Sequence, residues 1–164
     1  MANSVKPVPQ GFHTLTPYLT VNDAARAIDF YVKALGAREV MRMQNPAGKI
    51  THAELKIGDS MLMVSDELGQ SQVRSPRSLS GTTTGIFLYV ENVDSVFDRA
   101  VATGAKPVSR PADMFWGDRF GTFADPFGHV WSVATHIEDV TPQEMERRAK
   151  AAMAKMGQGQ PQTA

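Results

Sequence analysis

The chain has 164 residues, 42% apolar and 21% charged, and its 17 basic and 17 acidic residues leave no net charge. This balance is typical of a globular protein. It argues against nucleic acid or an anionic membrane as partner, because phosphate binding needs an excess of cationic side chains. The absence of cysteine excludes disulfides, thiolate zinc sites and cysteine nucleophiles. The sequence shows neither a signal-peptide core nor the ~20 apolar residues of a membrane span, so we expect a cytoplasmic protein.

The first half of the chain predicts a strand, a helix and three further strands. The alternating run TPYLTV ends at Val21, and Asn22 is placed to accept the free amides of a helix at 23–35. Apolar residues recur in this helix at helical spacing until Gly36, where glycine can take the left-handed conformation of a helix end. The three strands are then predicted in REVMRMQ, KITHAELKI and SMLMVS.

The second half repeats this plan. The run GIFLYV ends at Val90, Asn92 is the predicted cap of a helix at 93–103, and Gly104 ends that helix. Strands are again predicted in KPVSRPA, DRFGTFAD and VWSVATH, and Asp-Pro-Phe-Gly predicts the turn between the last two. The shared order indicates a duplicated β-α-β-β-β unit.

These repeats define the predicted domain organisation. An N-terminal arm (1–11) precedes one domain (12–136), in which a polar linker (66–83) joins module 12–65 to module 84–136. The fold class is α+β, with the two modules forming curved mixed sheets around a concave cavity, plus a C-terminal helix.

The remaining segment, 137–164, predicts that helix and a disordered tail. Thr141-Pro142-Gln143-Glu144 is a capping box with proline at the first helical position, and it starts a helix at 142–156. One side of the helix is apolar and needs a partner surface, because a solitary helix of this length is marginal in water. The residues on that side are Met145, Ala149, Ala152 and Met153.

The duplicated unit, with DPFGHVW before the last strand, resembles the vicinal oxygen chelate superfamily of glyoxalases, bleomycin resistance proteins and dioxygenases. The likeness covers residues 12–136. Within it, LTPYLTVNDAARAIDFYVKALGA, HAELKIGDSMLMVSDE and WGDRFGTFADPFGHVW are similar to the PhnB-like branch. The resemblance implies a small-molecule site on the concave side of the curved sheets.

Metal-dependent members of this superfamily hold a divalent ion with four side chains on the first and last strands of each module. Counting from the shared landmarks places these positions at Thr16, Leu62, Gly85 and Ser132. None of these residue types is a good ligand for zinc, nickel or iron at neutral pH. We therefore expect the family's metal site to be missing and no cofactor to be bound.

Strand alternation sorts the remaining side chains between the core and the cavity. In the first strand, Leu15, Leu19 and Val21 are predicted to face the core. The cavity then has aromatic walls and a few polar groups, which suits a planar or amphipathic organic molecule. The predicted ligand-binding residues are Thr16, Tyr18, Phe87, Tyr89, Trp116, Asp118, Ser132 and His136.

His52 and Glu54 are the best candidate pair for chemistry. They lie two residues apart on one strand and so point the same way, which allows Glu54 to orient His52 or both to contact one ion. Imidazole titrates near neutral pH and can act as a general base. The pair supplies only half a metal-ligand set, so a divalent ion is conceivable only there. An exposed cross-strand polar pair without function is the alternative.

Three functions remain open. The first is a metal-independent, glyoxalase-like protein that binds a small organic molecule. The second is a lyase or isomerase of the same fold that uses His52 and Glu54. The third is a non-catalytic partner module whose C-terminal helix docks on another subunit. A homodimer is expected, because the resemblance implies that such proteins pair modules within a chain or across two chains.

Overall fold

The computed structural model describes residues 5–69 and 72–157, so the predicted disordered tail lies almost wholly outside the described residues. Each half of the chain folds as one β-α-β-β-β module, as the repeat predicted. The elements are β1 (Tyr18–Val21), α1 (Ala24–Leu35), β2 (Arg38–Gln44), β3 (Ile50–Ile57), β4 (Ser60–Asp66), α2 (Pro76–Leu79), β5 (Gly85–Tyr89), α3 (Val93–Ala102), β6 (Lys106–Asp113), β7 (Asp118–Ala124), β8 (Val130–His136) and α4 (Pro142–Gly157).

Each module builds one four-stranded mixed sheet with the same topology. The order is β1-β4-β3-β2 in the first sheet and β5-β8-β7-β6 in the second. In both sheets the first strand runs parallel to the last, and the other pairs are antiparallel. The α+β fold class and the strand assignments are confirmed.

The caps of α1 and α3 show how local sequence starts each helix. Asn92 caps α3 as predicted, with its Oδ1 2.9 Å from the Ser95 amide. For α1 the prediction of Asn22 was wrong, since the Asp23 carboxylate accepts the amide of Arg26. Asp23 lies one residue nearer the first helical turn, and its short carboxylate can therefore reach an amide that the helix leaves unpaired.

The start of β1 also differs from the prediction. Leu15 does not face the core but is 86% exposed, whereas Leu19 and Val21 are buried. The strand begins only at Tyr18, because Pro17 has no amide hydrogen to continue the ladder, although its carbonyl accepts the Met63 amide. The strand alternation between core-facing and outward-facing side chains therefore does not extend into residues 12–17.

One continuous core joins the two modules. It combines the inner faces of both sheets with α1 and α3, and Trp131 and Val133 lie in it as predicted. The Asp125 carboxylate is buried at the junction and accepts the Tyr31 hydroxyl at 2.8 Å and the Trp131 indole N–H at 3.0 Å. Its other oxygen accepts the backbone amides of the DPFG turn, which gives this turn residue a role in holding the modules together.

Helix α4 follows β8 and is attached to the second module. Arg148 donates to the Phe115 carbonyl at 3.5 Å and to the Glu138 carboxylate at 2.7 Å. Residues 137 and 138 cross Gly117, whose φ is 97° and where a Cβ would collide with the Glu138 carbonyl oxygen. Beyond this attachment Met153 remains exposed. No helix in the described ranges, 5–69 and 72–157, is long and apolar enough to cross a membrane.

Candidate functional site

The predicted site residues lie in two groups on the outer faces of the two sheets. Tyr18, His52 and Glu54 alternate with buried residues of the first sheet and so face away from the shared core. Phe87, Tyr89 and Ser132 do the same on the second sheet. Because the core lies between the sheets, the chain does not bring the two groups together.

On the first sheet, hydrogen bonds connect three side chains in a row. The Tyr18 hydroxyl lies 3.0 Å from His52 Nδ1, and His52 Nε2 lies 3.4 Å from Glu54 Oε1. The His52 tautomer with its hydrogen on Nε2 can donate to Glu54 and accept the Tyr18 hydroxyl at Nδ1. The structure thus brings the predicted catalytic pair together and adds Tyr18 to it.

Three methionines lie beside the Tyr18–His52–Glu54 row. The sequence analysis did not assign these methionines to the site. Met41 and Met63 are the cross-strand neighbours of Glu54, and Met43 is the neighbour of His52. Thioether side chains are flexible and polarizable, so they adapt to ligands of different shape. The strand alternation of REVMRMQ was the signal that could have placed Met41 and Met43 there.

On the second sheet, the carboxylate of Asp118 organises the other predicted residues. Asp118 was predicted to contact a ligand, but it is only 3% exposed. Its Oδ2 accepts the Tyr89 hydroxyl and the Trp116 indole N–H, both at 3.1 Å, and its Oδ1 lies 2.8 Å from His136 Nδ1. Four of the eight predicted ligand-binding residues therefore form one hydrogen-bonded cluster.

The aromatic rings held by this cluster form a continuous surface, here called the aromatic wall (Phe87, Tyr89, Trp116 and Phe120). Phe120 stacks on Phe87 at a centroid distance of 5.7 Å and meets Trp116 edge-on at 5.8 Å. Phe87 and Tyr89 are 50% and 61% exposed, so the wall is open to a ligand. The sequence analysis missed Phe120, which alternation from Asp118 would have placed on this face.

His136 is held between two carboxylates. Hydrogen bonds with Asp118 first, and then with Asp139 at 3.0 Å, raise the pKa of His136 above its ordinary 6.5. Because the higher pKa belongs to the folded state, this pairing stabilises the fold below about pH 6.5 and ceases to do so as the pH rises through the folded-state pKa. The hydrogen bond to Asp118 also raises the pKa of the Tyr89 phenol, so Tyr89 remains a hydrogen-bond donor.

The four positions at which the resemblance implied metal ligands need one correction. Leu62 is buried in the core, and Met63 faces outward in its place, because this position lies five residues after the turn glycine Gly58 in the first module but four residues after Gly128 in the second. Thr16, Met63, Gly85 and Ser132 do not fit a divalent ion, since a thioether, two hydroxyls and a glycine offer no anionic or imidazole ligand. Within the described residues, no three His, Asp or Glu side chains are grouped so as to hold a metal ion.

Comparison with known proteins identifies relatives of the whole chain. Residues 11–133 match the Glyoxalase/Bleomycin resistance protein/Dioxygenase superfamily. An uncharacterised protein of Mycobacterium tuberculosis is 43% identical over 162 residues, covering 97% of this chain and 89% of its own.

Solved structures share the fold. TioX from Micromonospora sp. ML1 superposes with a TM-score of 0.60 at 31% identity, covering 76% of this chain and 99% of its own. The PhnB protein from Bacillus cereus superposes with a TM-score of 0.58, covering 75% of this chain and 99% of its own; at 17% identity it shows the fold alone.

Proposed function

The chain belongs to the Glyoxalase/Bleomycin resistance protein/Dioxygenase superfamily, and from that premise we propose that it binds a small organic molecule without the metal ion of the family's metal-dependent members. The ligand lies in a groove between two copies of the chain. The outer face of the first sheet of one copy forms one side, and the aromatic wall of the other copy forms the opposite side.

The observation that carries this proposal is that one chain exposes apolar and aromatic side chains on the outer faces of both sheets. Tyr18 and Phe87 are both 50% exposed on opposite outer faces, and Met43 is exposed beside His52. Contiguous apolar surface of this kind marks binding sites in soluble proteins. A homodimer that opposes the two faces covers both and creates two equal grooves by symmetry.

The chemistry of the two faces favours an aromatic ligand. A flat ring can stack on the aromatic wall, while the methionines of the opposite face adjust to its shape. Tyr18, Tyr89 and Ser132 supply hydroxyl groups for orientation. These features support binding of a flat aromatic molecule that carries polar groups.

A second candidate function is acid–base catalysis by the first sheet. The hydrogen-bonded row Tyr18–His52–Glu54 favours it, because Glu54 orients the imidazole and Tyr18 can exchange a proton with Nδ1. Removal of the α proton of a carbonyl compound, as in a lyase or an isomerase, is chemistry that such a row could perform. This candidate requires the same ligand groove.

The proposal is tested with a neutral aromatic dye, N-phenyl-1-naphthylamine, whose fluorescence rises in apolar surroundings. We expect saturable binding that persists after treatment with a chelator. Phe87→Ala should weaken it about 10-fold, because lost ring contacts of about 1.4 kcal/mol correspond to that factor. Val32→Ala, which removes an exposed apolar side chain from the outer surface of α1, is the matched control and should leave binding unchanged.

Two results would count against the proposal. Dye binding that depends on an added divalent ion would show that the ligand site needs a metal ion. Equal affinities for the native chain, Phe87→Ala and Val32→Ala would place the dye away from the aromatic wall.

A further inference from the structure

The N-terminal arm and the residues that join it to β1, together called the arm from here on (residues 5–17), border an open pocket on the outer face of the first sheet. A cavity of about 400 Å³ lies between the arm and the sheet. Two local hydrogen bonds shape the arm: the Phe12 amide donates to the Pro9 carbonyl, and Thr16 Oγ1 donates to the His13 carbonyl. The pocket is lined from the arm by Pro7, Val8, Pro9, Phe12, His13, Thr14 and Thr16, and from the sheet by Glu54 and Met63.

Among the described residues that line this pocket, Glu54 is the one carboxylate and His13 the one basic side chain. His13 is exposed and lies 3.8 Å from Asp59 Oδ2, so its partner is Asp59 and not Glu54. The Glu54 side chain is 19% exposed, and its contact with His52 Nε2 is long, at 3.4 Å. Among the described residues that line the cavity there is no lysine or arginine. A carboxylate that is largely removed from water and weakly paired gains most from a cationic partner.

We propose that this pocket binds the cationic group of the ligand, an ammonium carried by an apolar or aromatic body, with Glu54 as its counter-ion. The inference rests on the proposed function, which it deepens by naming the class of ligand. Val8, Phe12 and Met63 surround the carbon atoms next to the charge, and the aromatic body extends toward the groove. The arm thus determines specificity, because without it Glu54 would face bulk water.

The test compares two probes of nearly equal shape, phenethylamine, which is protonated at pH 7, and 2-phenylethanol, which is neutral. Both are titrated into the isotopically labelled full chain and followed by amide NMR shifts. We expect phenethylamine to shift the amides of the arm and of β3 and to bind about 10-fold more tightly, as charge-assisted hydrogen bonds do. Glu54→Gln, which keeps the shape of the side chain, should abolish this preference.

Control variants separate the charge from other effects of substitution. Glu146→Gln removes the same charge from an exposed position on α4, and the preference should persist. Phe12→Ala opens the arm side of the pocket and should weaken phenethylamine without abolishing the preference for the charged probe.

Each outcome decides the inference. Equal binding of both probes at this pocket, unchanged in Glu54→Gln, would overturn cation recognition and leave the proposed function intact. Shifts confined to other surfaces would also overturn the inference. Failure of the naphthylamine dye to bind would instead count against the proposed function itself.

Discussion

Replacement of Asp125 by alanine is expected to lower the free energy of unfolding by about 3–5 kcal/mol, because it leaves buried donors without an acceptor. The carboxylate accepts four hydrogen bonds, from Tyr31, Trp131 and the amides of Phe127 and His129. Burial, together with the neighbouring Asp125 carboxylate, raises the pKa of Tyr31 well above its ordinary value, so the phenol stays a donor at all moderate pH values.

The measurement is urea unfolding of the native chain and the variant. Asp29→Ala is the matched control, since Asp29 is an exposed residue of α1, and its free energy of unfolding should stay within about 0.5 kcal/mol of the native value. A loss below about 1 kcal/mol in Asp125→Ala would contradict the assigned role of this carboxylate at the junction of the modules.

Replacement of Asp118 by alanine is expected to impair both stability and ligand binding. The variant leaves the Tyr89 hydroxyl and the Trp116 indole without their acceptor and removes the partner of His136. We expect a loss of about 1–3 kcal/mol in the free energy of unfolding, since the Trp116 indole and the Tyr89 hydroxyl lose a buried acceptor. Dye affinity should fall about 10-fold or more, because the rings of the aromatic wall lose their fixed orientation.

Two further readouts distinguish this role from a general loss of packing. The pKa of His136, followed by NMR, should fall in Asp118→Ala, because its principal hydrogen-bond partner is removed. Asp113→Ala serves as control, because Asp113 is an exposed residue of β6 that contacts Arg119. Native dye affinity in Asp118→Ala would show that the carboxylate does not organise the aromatic wall.

Sequence periodicity predicted the architecture well because each module repeats the same local signals. Three signals each report a local conformational preference. They are the alternation of polar and apolar residues before Val21 and Val90, the helical spacing of apolar residues after them, and the glycines at the helix ends. Residues 12–17 are the exception. They run over the outer face of the first sheet and do not continue β1, and the alternation of polar and apolar residues cannot reveal this path.

The candidate site was predicted only in part, because its contacts depend on register and on long-range packing. His52 and Glu54 were assigned to one face by a spacing of two residues, and the structure confirms that placement. The ligand position predicted at Leu62 lies at Met63, since one more residue separates it from the turn glycine and a shift of one residue moves a side chain to the opposite face. The convergence of distant residues on Asp118 has no signature in local sequence.

In the proposed dimer, each ligand groove combines the first sheet of one chain with the second sheet of another. Tyr18→Ala damages the first side of the groove and Phe87→Ala damages the second. In a heterodimer of these two variants, one groove carries both lesions and the other carries neither. Each homodimer of a single variant has one lesion in both grooves.

The decisive measurement is dye binding to that heterodimer, prepared by co-expression of the two variants with different affinity tags. We predict one site per heterodimer with native affinity, whereas each variant homodimer binds about 10-fold more weakly. If the heterodimer shows no native-affinity site, or if the chains do not associate at all, the groove does not lie between subunits and the account is contradicted.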